Sequence, residues 1–438
     1  MKVTSSYGVE IRHMNRIFKD TVTIYRKALA FLVDVYDEEW NNLEVIANKQ
    51  KRFNEAERLI HSTKSNTAVY DFDTRFYKIP SYLRRDLVNT ALGIASSYRS
   101  NIKNWEESGR AGSRPKLQKE HFQMPVFFRD NMYQETESDA RCRLKLFHKN
   151  DWIWVTVTLK KTDVDYLKKH WSYAAASAPR LEKRYGKYFL RFSYEEDVKL
   201  STSKVKDQKV CSVDLGINTD AVCSIVYADG TVAARKFINL AAEKDHLHHV
   251  LNRIRKFQRQ HGSRNSGSFW AYAKRLNMEL AKKTANEIVS FAAAHSVDVI
   301  VFEYLDMSGK KHGTGKQKLH MWRKNYIQEV VKHKAHRIGI RISRVCARYT
   351  SWLSFDGSGE VDRDVHDHRF CTFKNGKRYN CDLSASYNIG ARYFIRELLK
   401  PVSAKRQSLL LAKVPEAGRR TTCTLDTLRK VSDFLSVS

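Results

Sequence analysis

Val210-Cys-Ser-Val-Asp-Leu-Gly-Ile-Asn218 reads as an apolar strand that stops on a carboxylate, Asp214, and then turns. Val297-Asp-Val-Ile-Val-Phe-Glu-Tyr-Leu305 repeats the pattern and stops on Glu303. Asn380-Cys-Asp-Leu-Ser-Ala-Ser-Tyr-Asn-Ile389 sets a third carboxylate, Asp382, at the start of an amphipathic helix pattern. A carboxylate at the end of a buried strand is costly unless a cation or a polar partner compensates it. Three of them in this order suggest one shared site for a divalent cation.

The surrounding sequence gives the order of elements. Val210–Asp214, Ala221–Tyr227 and Thr231–Phe237 read as an antiparallel meander turning at Asp229-Gly230. Helices are predicted over about 241–260 and 270–295, then a strand over 297–303 and a Gly/Lys-rich loop over 308–318. A helix to about 337, a strand over Ile340–Val345, an irregular stretch over 350–381 and a helix over 383–399 complete it. The order β-β-β-α-β-α-β-α is that of an RNase H-like fold, in which the first strand lies beside the fourth. Asp214 and Glu303 would then end near one another, and the last helix would bring Asp382 to them.

Upstream, Ser6–Arg12 is a candidate strand, and residues from about 12 to 108 look helical. Phe18, Val22, Tyr25, Leu29, Leu32 and Tyr36 recur at i+3/i+4 spacing. Leu83, Leu87, Ala91, Leu92, Ile94, Ala95 and Ile102 form another broad face after Pro80. Gly109-Arg-Ala-Gly-Ser-Arg-Pro115 breaks this pattern, and the period changes to two in a β-rich module over about 116–198. Ser201–Gln208 is a polar linker, and the tail after Pro401 is expected to be polar and partly mobile.

The composition points to a polyanionic partner. The chain has 438 residues, 78 Lys+Arg against 48 Asp+Glu, and a formal net charge of +30. Such a surplus opposes compaction unless a polyanion shares the surface, and nucleic acid is the obvious one. The 42% hydrophobic content is enough for real cores, so a disordered chain is excluded. No apolar run approaches the length of a membrane span, and the N-terminus lacks a signal-peptide core, so a cytoplasmic location is expected. Seven scattered cysteines without any C-x-x-C do not read as a disulfide framework.

Three clustered carboxylates cannot all stay ionised without cations, and oxygen ligands suit Mg²⁺ or Mn²⁺. Two such ions roughly 3.5–4 Å apart would clamp a scissile phosphate, one activating water and one steadying the leaving 3′ oxygen. Gly216 would leave room for backbone to approach metal or phosphate, and Asn218 would stabilise the following turn.

These residues carry a resemblance. Asp214–Asn218, Val299–Leu305 and the segment around Asp382 resemble the three RuvC motifs of TnpB-type proteins of insertion sequences, relatives of the compact type V CRISPR effectors. Tyr349-Thr-Ser351 matches the tripeptide that precedes a zinc ribbon in that family, and Gly112–Leu117 and Gly186–Leu190 fit more weakly. The resemblance implies an α+β multidomain protein. A helical recognition lobe (12–115) would be inserted in a β-barrel wedge domain (1–11 and 116–205). An RNase H-like RuvC nuclease domain would follow (206–438). It implies Asp214, Glu303 and Asp382 as metal ligands and catalytic residues, with guide RNA and target double-stranded DNA as partners.

The ribbon region, about 350–381, departs from the family. Its first cysteine pair is replaced by Trp352-Leu-Ser-Phe-Asp-Gly-Ser-Gly359, and the second falls on Thr372 and Asn375. Thr and Asn cannot replace thiolates, so zinc is not expected there. His366, His368, Cys371 and Cys381 would make only a weak alternative set.

Arg114, Lys116 and Lys119 in the basic link, and Arg253, Arg255, Lys256 and Arg259 on one helix with Arg264 beyond it, are candidate phosphate contacts. Tyr77, Tyr82, Phe127 and Phe128 are either core or base-stacking aromatics. The expected activity is RNA-guided, metal-dependent DNA cleavage beside a short flanking motif, from a transposon-encoded or CRISPR-associated protein working in the cytoplasm on the nucleoid. The alternatives are a nuclease-inactive DNA-binding regulator and an RNA-independent transposase or resolvase.

Overall fold

The computed structural model describes residues 1–12, 16–118, 123–262, 266–304, 321–364 and 366–437. Lys119, Arg264, Leu305 and the 308–318 loop lie outside the described residues. The chain divides into two compact units, Thr4–Glu196 and Met1–Val3 with Asp197–Ser438.

The first unit pairs helices with a sheet. Its elements are β1 (Lys2–Arg12), α1 (Arg16–Glu38), α2 (Trp40–Glu44), α3 (Lys49–Ile60), α4 (Phe72–Arg75) and α5 (Ser81–Glu107). Then come β2 (Tyr133–Glu135), β3 (Arg141–His148), β4 (Asp151–Leu159), α6 (Lys161–Trp171), β5 (Arg180–Arg184) and β6 (Lys187–Asp197). All six apolar residues that predict α1 are buried. Asn48 caps α3 by accepting from the N–H groups of Gln50 and Lys51. Helices and strands share one core: the rings of Phe18 on α1 and Tyr188 on β6 lie 5.0 Å apart, and Phe147 N–H donates to the Thr21 hydroxyl at 2.9 Å.

The expected β-barrel is not closed. The strands form an open six-stranded sheet in the order β2-β3-β4-β1-β6-β5. Stretch 125–133 spans its two edges through one isolated bridge to each, Val126 to Arg180 and Arg129 to Tyr133. Leu181 N–H donates to Pro125 and Phe127 N–H to Pro179, but neither proline has an N–H to return. A ladder cannot run on through such positions, and closure stops there.

The second unit is built on a five-stranded sheet. Its strands are β7 (Val210–Asp214), β8 (Ala221–Val226), β9 (Val232–Ile238), β10 (Val299–Tyr304) and β11 (Arg341–Cys346). Between them run α7 (Ala241–His261), α8 (Gly267–Ala294) and α9 (Lys324–Arg337). The order is β11-β10-β7-β8-β9, with β7–β9 antiparallel and β10 and β11 parallel to β7. The first strand does lie beside the fourth. Three short strands, β12 (Asp362–Arg363), β13 (Phe370–Thr372) and β14 (Arg378–Asn380), precede α10 (Cys381–Leu399).

The pleat sorts β7 and β10 between two cores. Val210, Val299 and Val301 face α10, while Cys211, Val213, Ile300 and Phe302 face α8 and α9. A strand buried on both faces reads as a continuous apolar run, as the sequence shows. The tail is more ordered than its polarity suggests. It forms α11 (Ala404–Lys413) and α12 (Leu425–Ser436), and Thr424 and Thr427 make a capping box. Leu410, Leu425, Leu428 and Val431 close the α10 side of the core. Among the described residues, no helix is long and apolar enough to cross a membrane.

Helix α10 sits unusually close to the sheet because Ser384, Ala385, Ser386 and Gly390 are small. Ser386 and Ser224 share a 2.5 Å hydrogen bond. A Cβ at Gly390 would meet Val226 Cγ2 at 2.8 Å. Gly390→Ala is therefore expected to lower stability by about 2 kcal/mol through overpacking. Thermal unfolding should shift down by roughly 4–8 °C, read by calorimetry.

Candidate active site

Asp214 and Glu303 end adjacent parallel strands. The register runs from Val299 opposite Val210 to Phe302 opposite Val213, so the next position sets Glu303 level with Asp214. Asp382 enters from the first turn of α10, whose N-cap Asn380 accepts from Leu383 N–H at 2.9 Å. The positive end of the helix dipole favours a carboxylate there.

The three carboxylates bear on one another electrostatically. Burial, then the charges of Glu303 and Asp382, push Asp214 well above the usual carboxylate range, while Arg363 opposes the shift. Glu303 is 8% exposed, and burial raises it against the Thr350 hydroxyl and Arg392. Burial also raises Asp382, opposed by a hydrogen bond from Thr219 and by Arg363. Oxygen-only donors, desolvated and facing too little positive charge, are the donor set a hard divalent cation suits. Among the described residues no three His, Cys, Asp or Glu stand close enough to hold an ion, and that includes this trio.

Several partners were not singled out from the sequence. Thr350 is buried, and its hydroxyl donates to Glu303 Oε1. Asn388 Nδ2 donates to the carbonyls of Thr350 (3.0 Å) and Leu353 (2.9 Å), tying that residue to α10. Arg363, on β12, donates to Ser351 Oγ at 2.9 Å. Thr350 and Asn388 were visible only as letters of the motifs; their contacts span 47 and 38 residues.

Gly216 is also needed for a local reason. A Cβ there would come within 2.5 Å of the Thr219 carbonyl, so the glycine is required by the tight turn itself. Asp220, in the same loop, is buried and structural: it pairs with Lys244 at 3.0 Å and accepts from Leu240 N–H at 2.8 Å.

The ribbon region is held by packing. Val361, Cys371, Phe373 and Cys381 form a small core with Phe355 and Tyr379, the Phe355 and Phe373 rings 5.5 Å apart. Burial pushes the Cys381 thiol up to about 12 and raises Cys371 too, which keeps both protonated. His366 and His368 are exposed, away from this core. Asn375 donates to Asp356 Oδ2 at 2.8 Å.

Among the candidate nucleic-acid contacts, Arg253, Arg255, Lys256 and Arg259 are exposed on α7, whose buried face is Leu247, Val250, Leu251 and Ile254. Arg114 and Lys116 are also exposed. Phe127 is fully buried and is core, whereas Tyr82 is 50% exposed and packs on Phe128 at 5.7 Å.

The fold is shared with compact Cas12 effectors. A Cas12f1 solved as a complex with sgRNA and target DNA aligns with a TM-score of 0.54 at 15% identity, covering 85% of this chain and 81% of that one. The mini RNA-guided endonuclease Cas_phi3 aligns with a TM-score of 0.52 at 11% identity, covering 88% and 92%. In sequence, the chain is 28% identical over 240 residues to a TnpB-like protein, aq_aa05 of Aquifex aeolicus (strain VF5), covering 49% of this chain and 77% of that one. Residues 5–148 match the Aq_aa04 family. The chain is thus similar in sequence to a TnpB-like protein over about half its length, and its fold is similar to that of compact Cas12 effectors.

Proposed function

We propose that this protein is an RNA-guided DNA endonuclease whose RNase H-like RuvC centre is Asp214, Glu303 and Asp382. One observation carries the reading. Three carboxylates from separate elements stand at one end of the sheet, raised by burial and, at Asp214, by mutual repulsion, in a chain of net charge +30. Such an arrangement is costly to keep unless a cation or a proton compensates it. Mg²⁺ or Mn²⁺ held by these three side chains would supply water activation and stabilisation of the leaving oxygen. The protein's own part is to orient the ligands. Thr350 fixes Glu303, the α10 N-terminus and Thr219 fix Asp382, and β7 fixes Asp214.

Guide RNA and target double-stranded DNA are the proposed partners, by kinship with complexes that contain them. The protein would read a short flanking motif and leave sequence recognition to base pairing, in the cytoplasm beside the nucleoid. The test is to sequence RNA that co-purifies, rebuild the complex with it, and challenge it with a plasmid library carrying randomised flanks. Cleavage confined to guide-matched targets supports the reading; equal cleavage after RNase treatment overturns it. Guide-directed binding without cleavage is the competing reading, favoured by the carboxylates not being closed to ligand distance. Cleavage in Mg²⁺ decides between the two.

Helix α7 should bind phosphate groups. Changing Arg253, Lys256 and Arg259 together to alanine is expected to weaken nucleic-acid binding about ten- to a hundredfold. The slope of log affinity against log salt should fall by about 0.7–0.9 for each phosphate that is no longer neutralised. Anisotropy titrations over a salt series read both.

A further inference from the structure

A groove of about 720 Å³ runs between the two tail helices, α11 and α12. Leu409, Val414, Phe434 and Val437 give it an apolar floor and walls. The sequence explains why a leucine is left over there. Leu409, Leu410 and Leu411 are consecutive, and neighbours in an α-helix point about 100° apart, so one core cannot take all three. Leu410 is fully buried and Leu411 packs on the same core, while Leu409 is 56% exposed. On the facing helix, α12 buries Leu425, Leu428 and Val431, and turns Phe434 and Val437 to the groove. A lone exposed leucine is ordinary, but an apolar strip continued across two helices and rimmed by charge marks a contact surface.

The rim is basic. Lys405, Leu409 and Lys413 recur at i, i+4 and i+8 on one face of α11, and Arg406 and Lys430 add two more cations. Among the described residues that line the groove, Asp433 alone is acidic. Arg406 donates to the Leu435 carbonyl at 3.3 Å, which ties α11 to α12. Lys430 pairs with Asp426 at 2.7 Å within its own helix, and Lys413 stands over the Phe434 ring at 5.5 Å. Among the described residues, Lys405 and Lys413 are in no ion pair. The groove is remote from the carboxylates. Asp382 stands in the first turn of α10, whereas Ser403, on the groove's rim, follows its last turn. A helix of 19 residues puts about 28 Å between those ends.

We infer that this groove docks an acidic amphipathic helix of a protein partner, its apolar side chains against Leu409, Val414, Phe434 and Val437 and its carboxylates against Lys405, Lys413 and Lys430. Two helices side by side leave a channel that a third can fill, with anchors at i, i+3 or i+4 and i+7. Charge disfavours a second copy as the occupant: the chain carries +30, and four cations against one carboxylate line the groove. A nucleic-acid backbone would use the rim but leave the apolar floor uncovered. The Phe434 ring, capped by Lys413, offers a base no open face on that side. The inference does not depend on the nuclease reading.

The test uses the full-length protein without guide RNA or Mg²⁺. The probe is a fluorescein-labelled helical peptide with leucine at i, i+4, i+7 and i+11 and glutamate flanking that stripe; a second peptide carries glutamine for each glutamate. Anisotropy at fixed ionic strength reads binding. The glutamate peptide is expected to bind at least about tenfold more tightly than the glutamine one. Lys405→Glu/Lys413→Glu should weaken its binding at least about tenfold. Lys282→Glu/Lys334→Glu, the same charge change at exposed helix positions elsewhere in the unit, should weaken it no more than about twofold. Leu409→Ser/Val437→Ser leaves the charge unchanged and should weaken it about fivefold or more. These four groove positions are exposed, so the variants should fold, which a thermal scan verifies. A photo-crosslinking amino acid in place of Leu409 should join the glutamate peptide. Equal effects of the two lysine pairs, no effect of the leucine–valine pair, or crosslinking to a second copy of the chain or to an added oligonucleotide in preference to the peptide would each overturn the inference.

Discussion

Asp214→Ala is expected to abolish guide-directed cleavage, lowering the rate at least about a thousandfold, some 4 kcal/mol of barrier. Target binding should stay within about threefold of the parent, because the candidate phosphate-binding residues lie elsewhere. Glu303→Gln and Asp382→Asn should behave alike, since each removes one charged oxygen ligand from the same set. Residues that act as a unit do not add, so the triple variant should be no worse than the single ones. Cleavage of a labelled target and electrophoretic binding of the same complex are the two measurements. Rates within tenfold of the parent in all three single variants would remove the carboxylates from the chemistry. A double variant a thousandfold slower than either single one would mean that they act independently.

Divalent cations should stabilise the protein, and more strongly as the pH rises. The folded state raises the affinity of Asp214, Glu303 and Asp382 for protons. Above the ordinary carboxylate range of about 4, the unfolded chain has already lost these protons while the folded chain still holds them. The folded state then binds more protons, so stability of the metal-free protein falls as pH rises through that window. Near neutral pH the penalty is relieved either by a proton or by a cation. Mg²⁺ at a hundred times its dissociation constant should add about 2.7 kcal/mol. For a unit of this size that is roughly 5–10 °C in Tm. Asp214→Asn should raise the Tm of the metal-free protein at pH 8 and remove most of the Mg²⁺ response. Scanning calorimetry at pH 6 and pH 8, with EDTA or Mg²⁺, reads every arm. A Mg²⁺ shift unchanged in Asp214→Asn would place the ion elsewhere.

Thr350 and Arg363 illustrate how far the sequence could be read. The apolar runs ending on Asp214 and Glu303 were legible because a two-sided buried strand has little room for polar letters, so a terminal carboxylate stands out. Helix α1 was legible for a similar reason, its six apolar positions all being buried. Thr350 has no such pattern. It matters only because a carbonyl-to-amide bond from Asn388 brings it to Glu303, a contact between segments dozens of residues apart. Arg363 is one of 78 basic residues until β12 places it near Asp214 and Asp382. The β-barrel failed for a local reason that the sequence did contain, since Pro125 and Pro179 cannot donate to a ladder. The tail helices were overlooked because polar composition hid the spacing of Leu410, Leu425, Leu428 and Val431.

By itself, the sequence determined which carboxylates are candidates for the chemistry and in what element order they come, because strand and helix periods and the cost of buried charge act locally along the chain. Only the tertiary structure decided what surrounds those residues: the small-residue seam that lets α10 approach the sheet, the threonine on Glu303, and the arginine of β12 near Asp214 and Asp382. These depend on side chains from distant segments meeting, and a meeting across the fold leaves no period in the sequence.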